Sequence, residues 1–410
     1  MAAPQPDGSI QQSESPPGPR RSGATPLGTV AQPFQRTGRY YARMWRDYLN
    51  GPEEGQALPV ARPTIALAAQ AFRDEVVLLG LRGRRPISDG DVFARISREV
   101  RKALDFYDKR GMLAAPEKFF AAPPPLTDVT LLPRRGRLRS HDRIRWDSGY
   151  APAVGEPGRA RWRSYTANDR VYALLLRHSE PRPWLVGIHG AEMGRAGIDL
   201  WLFRARHLHE KYGLNIVLPV LPMHGPRARG LPKGAVFPGE DVMDDLHAGA
   251  QGVWDVRRLL SWIRAQEPAS PIGLNSISMG GYIAALVASL EDDLTCAILG
   301  VPVADLVQLL GRHSGLSRTD PRHQTVMLAE PLGRMASPLA LQPRVPERGR
   351  FIYAGIADRV VHPREQVVRL WEHWGKPEIV WYRGGHTGFF EARPVQRFVE
   401  MAIVQSGLLD

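Results

Sequence analysis

Apolar residues follow two different spacings along the chain. Between positions 37 and 118 they recur every three or four residues, the repeat of one helix face, and three helices are predicted there. From Trp184 onward, short apolar runs alternate with helical stretches of ten or more residues. This alternation is typical of right-handed strand-helix-strand units. We therefore predict an α/β fold, with a mostly parallel twisted sheet flanked by helices.

The chain before the sheet divides into two parts. Residues 1–35 are rich in Pro, Gly, Ser and Gln, so a disordered N-terminal tail is predicted. Residues 36–125 are predicted to form a helical N-terminal module, whose third helix begins with a cap on Ser88 and which ends at a run of three prolines. Three short helices hold only a small core, so the module is expected to pack on a neighbouring domain or a second subunit. A homo-oligomer formed through these helices stays open.

The sequence also predicts the apolar face of the second helix and the first strands of the sheet. In the second helix, Ile65, Ala69, Phe72, Val76 and Leu79 form the predicted apolar face, with Arg73, Asp74 and Glu75 opposite. An antiparallel opening to the sheet is predicted over Arg143–Trp146, Arg159–Tyr165 and Arg170–Arg177.

The remaining residues, 126–410, are predicted to form one domain. Its later strands are predicted at Trp184–Ile188, Asn215–Pro219, Pro271–Asn275, Leu294–Leu299, Arg350–Ala354 and Glu378–Tyr382. Helices are predicted near Leu200–Tyr212 and at Val242–Arg264, Gly281–Leu290, Arg364–Trp374 and Pro394–Ser406. The stretch 306–349 is longer than a simple crossover needs, and a cap insert over the site is one interpretation of it.

The composition argues against several classes of function and location. The net charge of +12 suits an anionic partner, but it comes almost entirely from Arg, and no nucleic-acid-binding signature accompanies the densest basic run, Arg134–Arg139. We therefore expect no nucleic-acid partner. The single cysteine, Cys296, excludes an internal disulfide, and no run of 18 apolar residues is present. A cytoplasmic protein without an integral membrane segment is the expectation.

The candidate chemistry begins at Ser278. It lies between a predicted strand and a predicted helix, with Ser276 two residues before it and Gly280 two residues after it. A serine that must stand clear of a sheet edge needs such a sharp turn, called a nucleophile elbow, with small residues on both sides. The usual first small residue is glycine, so Ser276 is a departure. An ordinary helix cap at Ser278 is the competing interpretation.

Two further strand ends carry the groups that would activate this serine. Asp358 follows the strand Arg350–Ala354, and His386 follows Glu378–Tyr382 between glycines and a threonine. A serine hydroxyl becomes nucleophilic when an imidazole takes its proton, and the imidazole needs a carboxylate to fix its tautomer. We predict Ser278, His386 and Asp358 as catalytic nucleophile, base and acid. Asp305 stays open as an alternative acid.

Two backbone amides would stabilise the oxyanion. We predict the Met279 amide at the helix start and the Ala191 amide of the His189-Gly190-Ala191 loop. No metal is predicted. The acidic residues Asp241, Asp244 and Asp245 beside His247 open a helix, where carboxylates interact well with its dipole. Arg227, Arg229 and Arg359 stay open as partners for an anionic group of the substrate.

Together these motifs resemble the α/β-hydrolase superfamily. The resemblance covers residues from about 140 to the C-terminus. It rests on Ser276–Gly281, His189-Gly190, Asp358 with Val360-Val361-His362-Pro363 after it, and Gly384-Gly385-His386. It is most similar to the esterase, dienelactone-hydrolase-like and prolyl-oligopeptidase-like branches, partly through Leu221–Gly225.

The resemblance implies a serine esterase of the carboxylesterase type. It would hydrolyse a small-molecule ester through an acyl-enzyme, without metal or organic cofactor. A peptidase or acyltransferase with the same triad is an alternative. So is a non-catalytic interaction protein that retains the fold.

Overall fold

The computed structural model describes residues 26–52, 57–83, 90–135, 140–317 and 319–410. Residues 1–25 of the predicted tail, the predicted cap Ser88 and positions 136–139 of the basic run lie outside the described residues. Within the described ranges, no helix is long and apolar enough to cross a lipid bilayer.

The described strands form a single nine-stranded sheet. They are β1 Thr130–Arg135, β2 Ser140–Asp147, β3 Arg170–Leu176, β4 Trp184–Ile188, β5 Asn215–Pro219, β6 Ile272–Ile277, β7 Cys296–Gly300, β8 Arg350–Gly355 and β9 Glu378–Tyr382. Their order is β1-β2-β3-β5-β4-β6-β7-β8-β9. The pairs β1-β2, β2-β3 and β3-β5 are antiparallel and all later pairs are parallel. The mostly parallel sheet is confirmed. The antiparallel opening is confirmed for β2 and β3, but its first strand is β1 and not the predicted segment Arg159–Tyr165.

The helices cover both faces of this sheet. They are α1 Pro26–Asn50, α2 Ile65–Gly83, α3 Gly90–Asp108, α4 Arg159–Ser164, α5 Ala196–Leu202, α6 Ala205–Tyr212, α7 Val242–Gln266, α8 Met279–Ala288, α9 Leu306–His313, α10 Pro321–Leu328, α11 Glu330–Met335, α12 Arg369–His373 and α13 Arg393–Gln405. Alternate residues of β3 enter two cores: Val171, Ala173 and Leu175 face the core that holds α7 and α8, while Leu174 and Leu176 face the core of α6 and α13. This two-sided packing, with an elbow after β6, is the predicted α/β-hydrolase fold.

Three sequence-based expectations about the helices are wrong in detail. Helix α1 begins at Pro26, so the predicted tail of residues 1–35 is too long. Proline suits the first turn of a helix, and Phe34 packs on Phe72 of α2 with ring centroids 4.7 Å apart. The segment predicted as the strand Arg159–Tyr165 is helix α4, and the helix predicted near Leu200–Tyr212 is two helices, α5 and α6.

The buried face of α2 is opposite to the predicted one. Ile65 and Val76, predicted to be buried, are 85% and 46% exposed, whereas Asp74 and Glu75 are 0% and 3% exposed. The prediction from the apolar spacing failed because α2 has apolar residues on nearly all of its faces. Several faces were therefore equally suitable for burial. The partners of the two carboxylates decide which face turns inward.

The N-terminal helices pack on different parts of the molecule. Helix α1 packs against α2, and Met44 of α1 and Leu67 of α2 form a small cluster with Ala357, in the loop after β8. Helix α3 packs against α7, and its Ile96 and Val100 belong to the main core. The first two helices therefore lie against the loops that follow the C-terminal strands.

A buried ion pair joins α7 to the loop after β5. The guanidinium of Arg227 is 0% exposed and lies 2.8 Å from Asp255, and it also donates to the carbonyl oxygens of Val220 and Asn168. Burial lowers the pKa of Arg227 and raises that of Asp255. Both shifts reflect the cost of removing the charges from water.

We expect Arg227→Met to lower the free energy of unfolding by about 3–5 kcal/mol, because Asp255 is left buried without its partner. Urea denaturation of the purified variant measures the loss. The double variant Arg227→Met/Asp255→Leu is the matched control and should recover part of it. A single variant as stable as the wild type would contradict this assignment.

Candidate active site

A strained turn connects β6 to α8 and carries Ser278. The residue has a positive φ of 58°, with ψ of −118°. It is buried, with 8% of its surface exposed. A Cβ atom added to Gly280 would lie 2.5 Å from the carbonyl oxygen of His189, so the position after the turn requires glycine. Ser276 is tolerated in the usual glycine position because its hydroxyl donates to the carbonyl oxygen of Ile298 on β7.

The structure brings Ser278, His386 and Asp358 into one hydrogen-bonded line. The Oγ atom of Ser278 lies 3.0 Å from Nε2 of His386, and Nδ1 of the same ring lies 2.7 Å from Oδ2 of Asp358. With Asp358 accepting from Nδ1–H, Nε2 is left as an acceptor for the serine hydroxyl. This is the protonation state in which imidazole takes a proton from serine.

Backbone amides hold the Asp358 carboxylate in place. Its Oδ1 atom accepts from the amides of Val360 at 2.8 Å and Val361 at 2.7 Å, which leaves Oδ2 for the histidine. Burial opposes a charge on His386, but the charge and hydrogen bond of Asp358 and the charge of Asp74 outweigh it. They raise the pKa of His386.

The loop after β4 lies directly against the serine. A Cβ atom built on Gly190 would be 3.2 Å from Cβ of Ser278, so this glycine lets the two backbones approach. The ring of His189 fixes the loop. It accepts from the Leu221 amide at Nε2 and lies 2.8 Å from the Gly190 carbonyl oxygen at Nδ1. Burial lowers the pKa of His189 to about 3, so the ring stays neutral in this structural role.

The predicted amide donors lie on these two elements. Met279 is the first residue of α8, so its N–H is among the amides without a partner inside the helix. Ala191 follows Gly190 in the loop beside Ser278.

The alternative residues lie elsewhere. Asp305 caps α9 by accepting from the Gln308 amide, and it pairs with Arg369. Asp241 caps α7 and pairs with Arg95 and Arg161. Among the described residues, no group of three or more His, Cys, Asp or Glu side chains is placed to hold a metal ion.

Two of the three arginines considered for an anionic substrate group serve the fold instead. Arg227 is the buried partner of Asp255, and Arg359 pairs with Glu75 of α2 at 3.0 Å. Arg229 is exposed.

The helices of the 306–349 insert contribute apolar side chains to the main core. Leu306, Leu309, Leu332 and Met335 are buried there, whereas Met327 is 51% exposed. The insert is also tied to its surroundings by the Tyr282 hydroxyl, which donates to the Ala336 carbonyl oxygen, and by Ser337, which donates to that of Ala304. These contacts account for the apolar pattern by ordinary packing.

Sequence reasoning missed Asp74, which lies at the centre of the site loops. Its Oδ2 atom accepts from the His386 amide at 2.7 Å and from the Arg359 amide at 3.0 Å. A signal was available in the sequence. Asp74 and Glu75 are the only acidic residues in the otherwise largely apolar helix α2, and acids in an apolar helix need buried partners.

Comparison with known proteins places the chain in a family. No protein-family model matches it. Two Mycobacterium tuberculosis proteins named Uncharacterized protein Rv2627c and Uncharacterized protein MT2702 are each 68% identical over 384 residues, which is 94% of this chain and 92% of each of them. The chain belongs to the Rv2627c family.

Solved structures with a similar fold lie much further away in sequence than these members of the Rv2627c family. An acetyl xylan esterase from a Paenibacillus species is 18% identical, with a TM-score of 0.49, over 78% of this chain and 98% of that one. Acetyl Xylan Esterase 1 from a Thermoanaerobacterium species is 15% identical, with a TM-score of 0.48, over 78% and 94%. With likeness at this level, the strand order and the elbow of the chain itself carry the fold assignment.

Proposed function

We propose that the protein is a serine hydrolase that cleaves a carboxylic ester of a small molecule through an acyl-enzyme. The hydrogen-bonded line from Ser278 through His386 to Asp358 carries this proposal. The strained backbone at Ser278 supports it, because an ordinary helix cap has no need of a positive φ.

In the first half of the reaction, Oγ of Ser278 attacks the ester carbonyl carbon and its proton passes to Nε2 of His386. The carbonyl oxygen becomes an oxyanion, which the amides of Met279 and Ala191 stabilise by hydrogen bonds. The tetrahedral intermediate then collapses. The bond to the alcohol oxygen breaks, and His386 returns its proton to that oxygen as the alcohol leaves.

In the second half, water replaces the alcohol. His386 takes a proton from the water, whose oxygen attacks the acyl carbon, and the bond to Oγ of Ser278 then breaks as the proton returns to the serine. Throughout, Asp358 stays ionised and stabilises the imidazolium. The products are a carboxylic acid and an alcohol, and the enzyme returns to its starting state without a metal ion.

Labelling with a fluorescent fluorophosphonate tests this proposal. The probe forms a covalent bond with an activated serine, so we expect labelling of the wild type and none of Ser278→Ala. Ser289→Ala is a matched control, since Ser289 lies just past the other end of α8 and its hydroxyl donates only to a carbonyl oxygen of that helix. Absence of labelling in folded wild-type protein, or equal labelling of Ser278→Ala, would overturn the proposal.

A further inference from the structure

Helix α2 reaches the site with one carboxylate that joins two loops. A single oxygen of Asp74 accepts from the amide of His386 and from the amide of Arg359, the residue that follows Asp358. The base and its acid therefore share a common anchor outside the sheet. A change in either loop that moved His386 relative to Asp358 would have to break one of these two bonds.

The next carboxylate of α2 supports the same loop from the side. Glu75 is 3% exposed and accepts from Nη2 and Nε of Arg359 at 3.0 and 3.1 Å. The guanidinium of Arg359 also lies over the ring of Tyr40 of α1, 4.4 Å from its centroid. Helices α1 and α2 thus contact the loop after β8 both at the backbone amide and at the side chain of Arg359.

Gly385 provides a second, independent sign that the carboxylate fits this position closely. Its backbone is extended, with φ of −85°, so glycine is not required there for conformational reasons. A Cβ atom at this position would, however, lie 2.6 Å from Oδ2 and 2.8 Å from Cγ of Asp74. The residue before His386 must be glycine because the carboxyl group of Asp74 occupies the space of a side chain.

We propose that Asp74 is a positioning residue of the active site: it aligns the His386 and Asp358 loops, and its negative charge stabilises the imidazolium that forms during catalysis. This inference rests on the proposed function. It makes helix α2 a part of the active site rather than a neighbouring support, and it assigns the role to a residue that does not touch the reacting atoms.

The surrounding charges determine the sign of the electrostatic effect. The charged and titratable groups around Asp74 and His386 are Asp358, Arg359, Tyr40, Tyr382 and Arg73. Burial and the negative charge of Asp358 raise the pKa of Asp74 to about 6, while His386 and the two amide hydrogen bonds oppose that rise. In return, the ionised carboxylate of Asp74 helps to raise the pKa of His386. Removing its charge must therefore make His386 less basic.

Asp74→Asn separates this electrostatic role from packing, because the amide oxygen can still accept both hydrogen bonds. The readout is the second-order rate constant of fluorophosphonate labelling, measured as a function of pH. This rate constant rises as His386 loses its proton. We expect the acid limb of this profile to move to lower pH in Asp74→Asn, because the negative charge that helps to raise the pKa of His386 is gone. In Asp74→Ala, which also loses both hydrogen bonds, the rate at the plateau should fall by about 10- to 100-fold.

Glu99→Gln is the matched control. Glu99 is another carboxylate of an N-terminal helix, and it pairs with Arg161 rather than with the site loops. Its profile should coincide with that of the wild type. A lower plateau without a shift in Asp74→Asn would reduce Asp74 to a structural residue and overturn the inference alone. An unlabelled wild type would overturn the proposed function, and this inference with it.

Discussion

Replacing Ser278 with alanine is expected to lower the turnover of the best p-nitrophenyl ester by about 10⁶-fold, because no covalent acyl-enzyme can form without Oγ. The oxyanion donors and substrate binding would leave only a small residual rate over water. The fold should persist. The one side-chain hydrogen bond described for the Ser278 hydroxyl goes to His386, and alanine meets the same backbone constraint at a φ of 58°.

Steady-state kinetics on a series of p-nitrophenyl esters of rising chain length gives the measurement, with thermal unfolding of each variant beside it. Ser289→Ala again serves as control, since it removes a buried hydroxyl from the region just after α8 without touching the hydrogen-bonded line. Retention of more than about one per cent of turnover in Ser278→Ala would identify a different nucleophile.

Asp358→Asn is expected to lower turnover by about 10⁴-fold, less than the loss of the nucleophile. The amides of Val360 and Val361 select the oxygen of the new side chain, so its NH₂ group faces Nδ1 of His386. That nitrogen must then accept a hydrogen bond, which moves the ring proton to Nε2. In this tautomer the ring cannot take the proton of Ser278.

Asp305→Asn is the matched control for this charge removal. Asparagine caps a helix about as well as aspartate, so α9 should keep its start and turnover should stay near that of the wild type. Turnover is measured with the same ester for both variants. If Asp305→Asn were the more damaging change, the acid of the site would be Asp305 and the assignment of Asp358 would be wrong.

The central strands were predictable because they are buried on both faces. For β4 and β5 the predicted and observed bounds agree, and both strands are buried along their whole length. The bounds of β9 also agree, although it lies at the edge of the sheet and is only partly buried. A continuous apolar run of five residues bounded by turn residues has few other interpretations in an alternating chain. Once these strands are assigned, the elbow, Asp358 and His386 each fall just after the end of a strand.

The periphery was harder to predict, because local pattern is weak there. Strand β1 lies at the sheet edge, where Leu131 is 53% exposed and Pro133 interrupts the run, so its residues look like a loop. Helix α4 has only six residues, with Trp162 as its buried side chain. Ala160 and Trp162 alternate with polar residues, a spacing that fits a short strand as well as one turn of helix.

Asp74 was out of reach for a different reason. Its role depends on contacts with residues 285 and 312 positions away, and no local spacing records such a distance. The pair Asp74-Glu75 in an apolar helix indicates burial but not the partner. Site residues that follow strands can be recognised from the sequence, because the strands that precede them are recognisable. A residue that reaches the site from a helix, such as Asp74, has no such local signal.

The same separation along the chain has a consequence for when the proposed site can form. Closing a loop of 312 residues has a larger entropic cost than the local pairings of the sheet, and a chain that depends on contacts of such range folds more slowly. Helix α2 leaves the ribosome long before His386 is synthesised. If the proposed function holds, the nascent chain carries Ser278 before His386 exists, and hydrolytic activity requires that the last part of the chain dock onto the first.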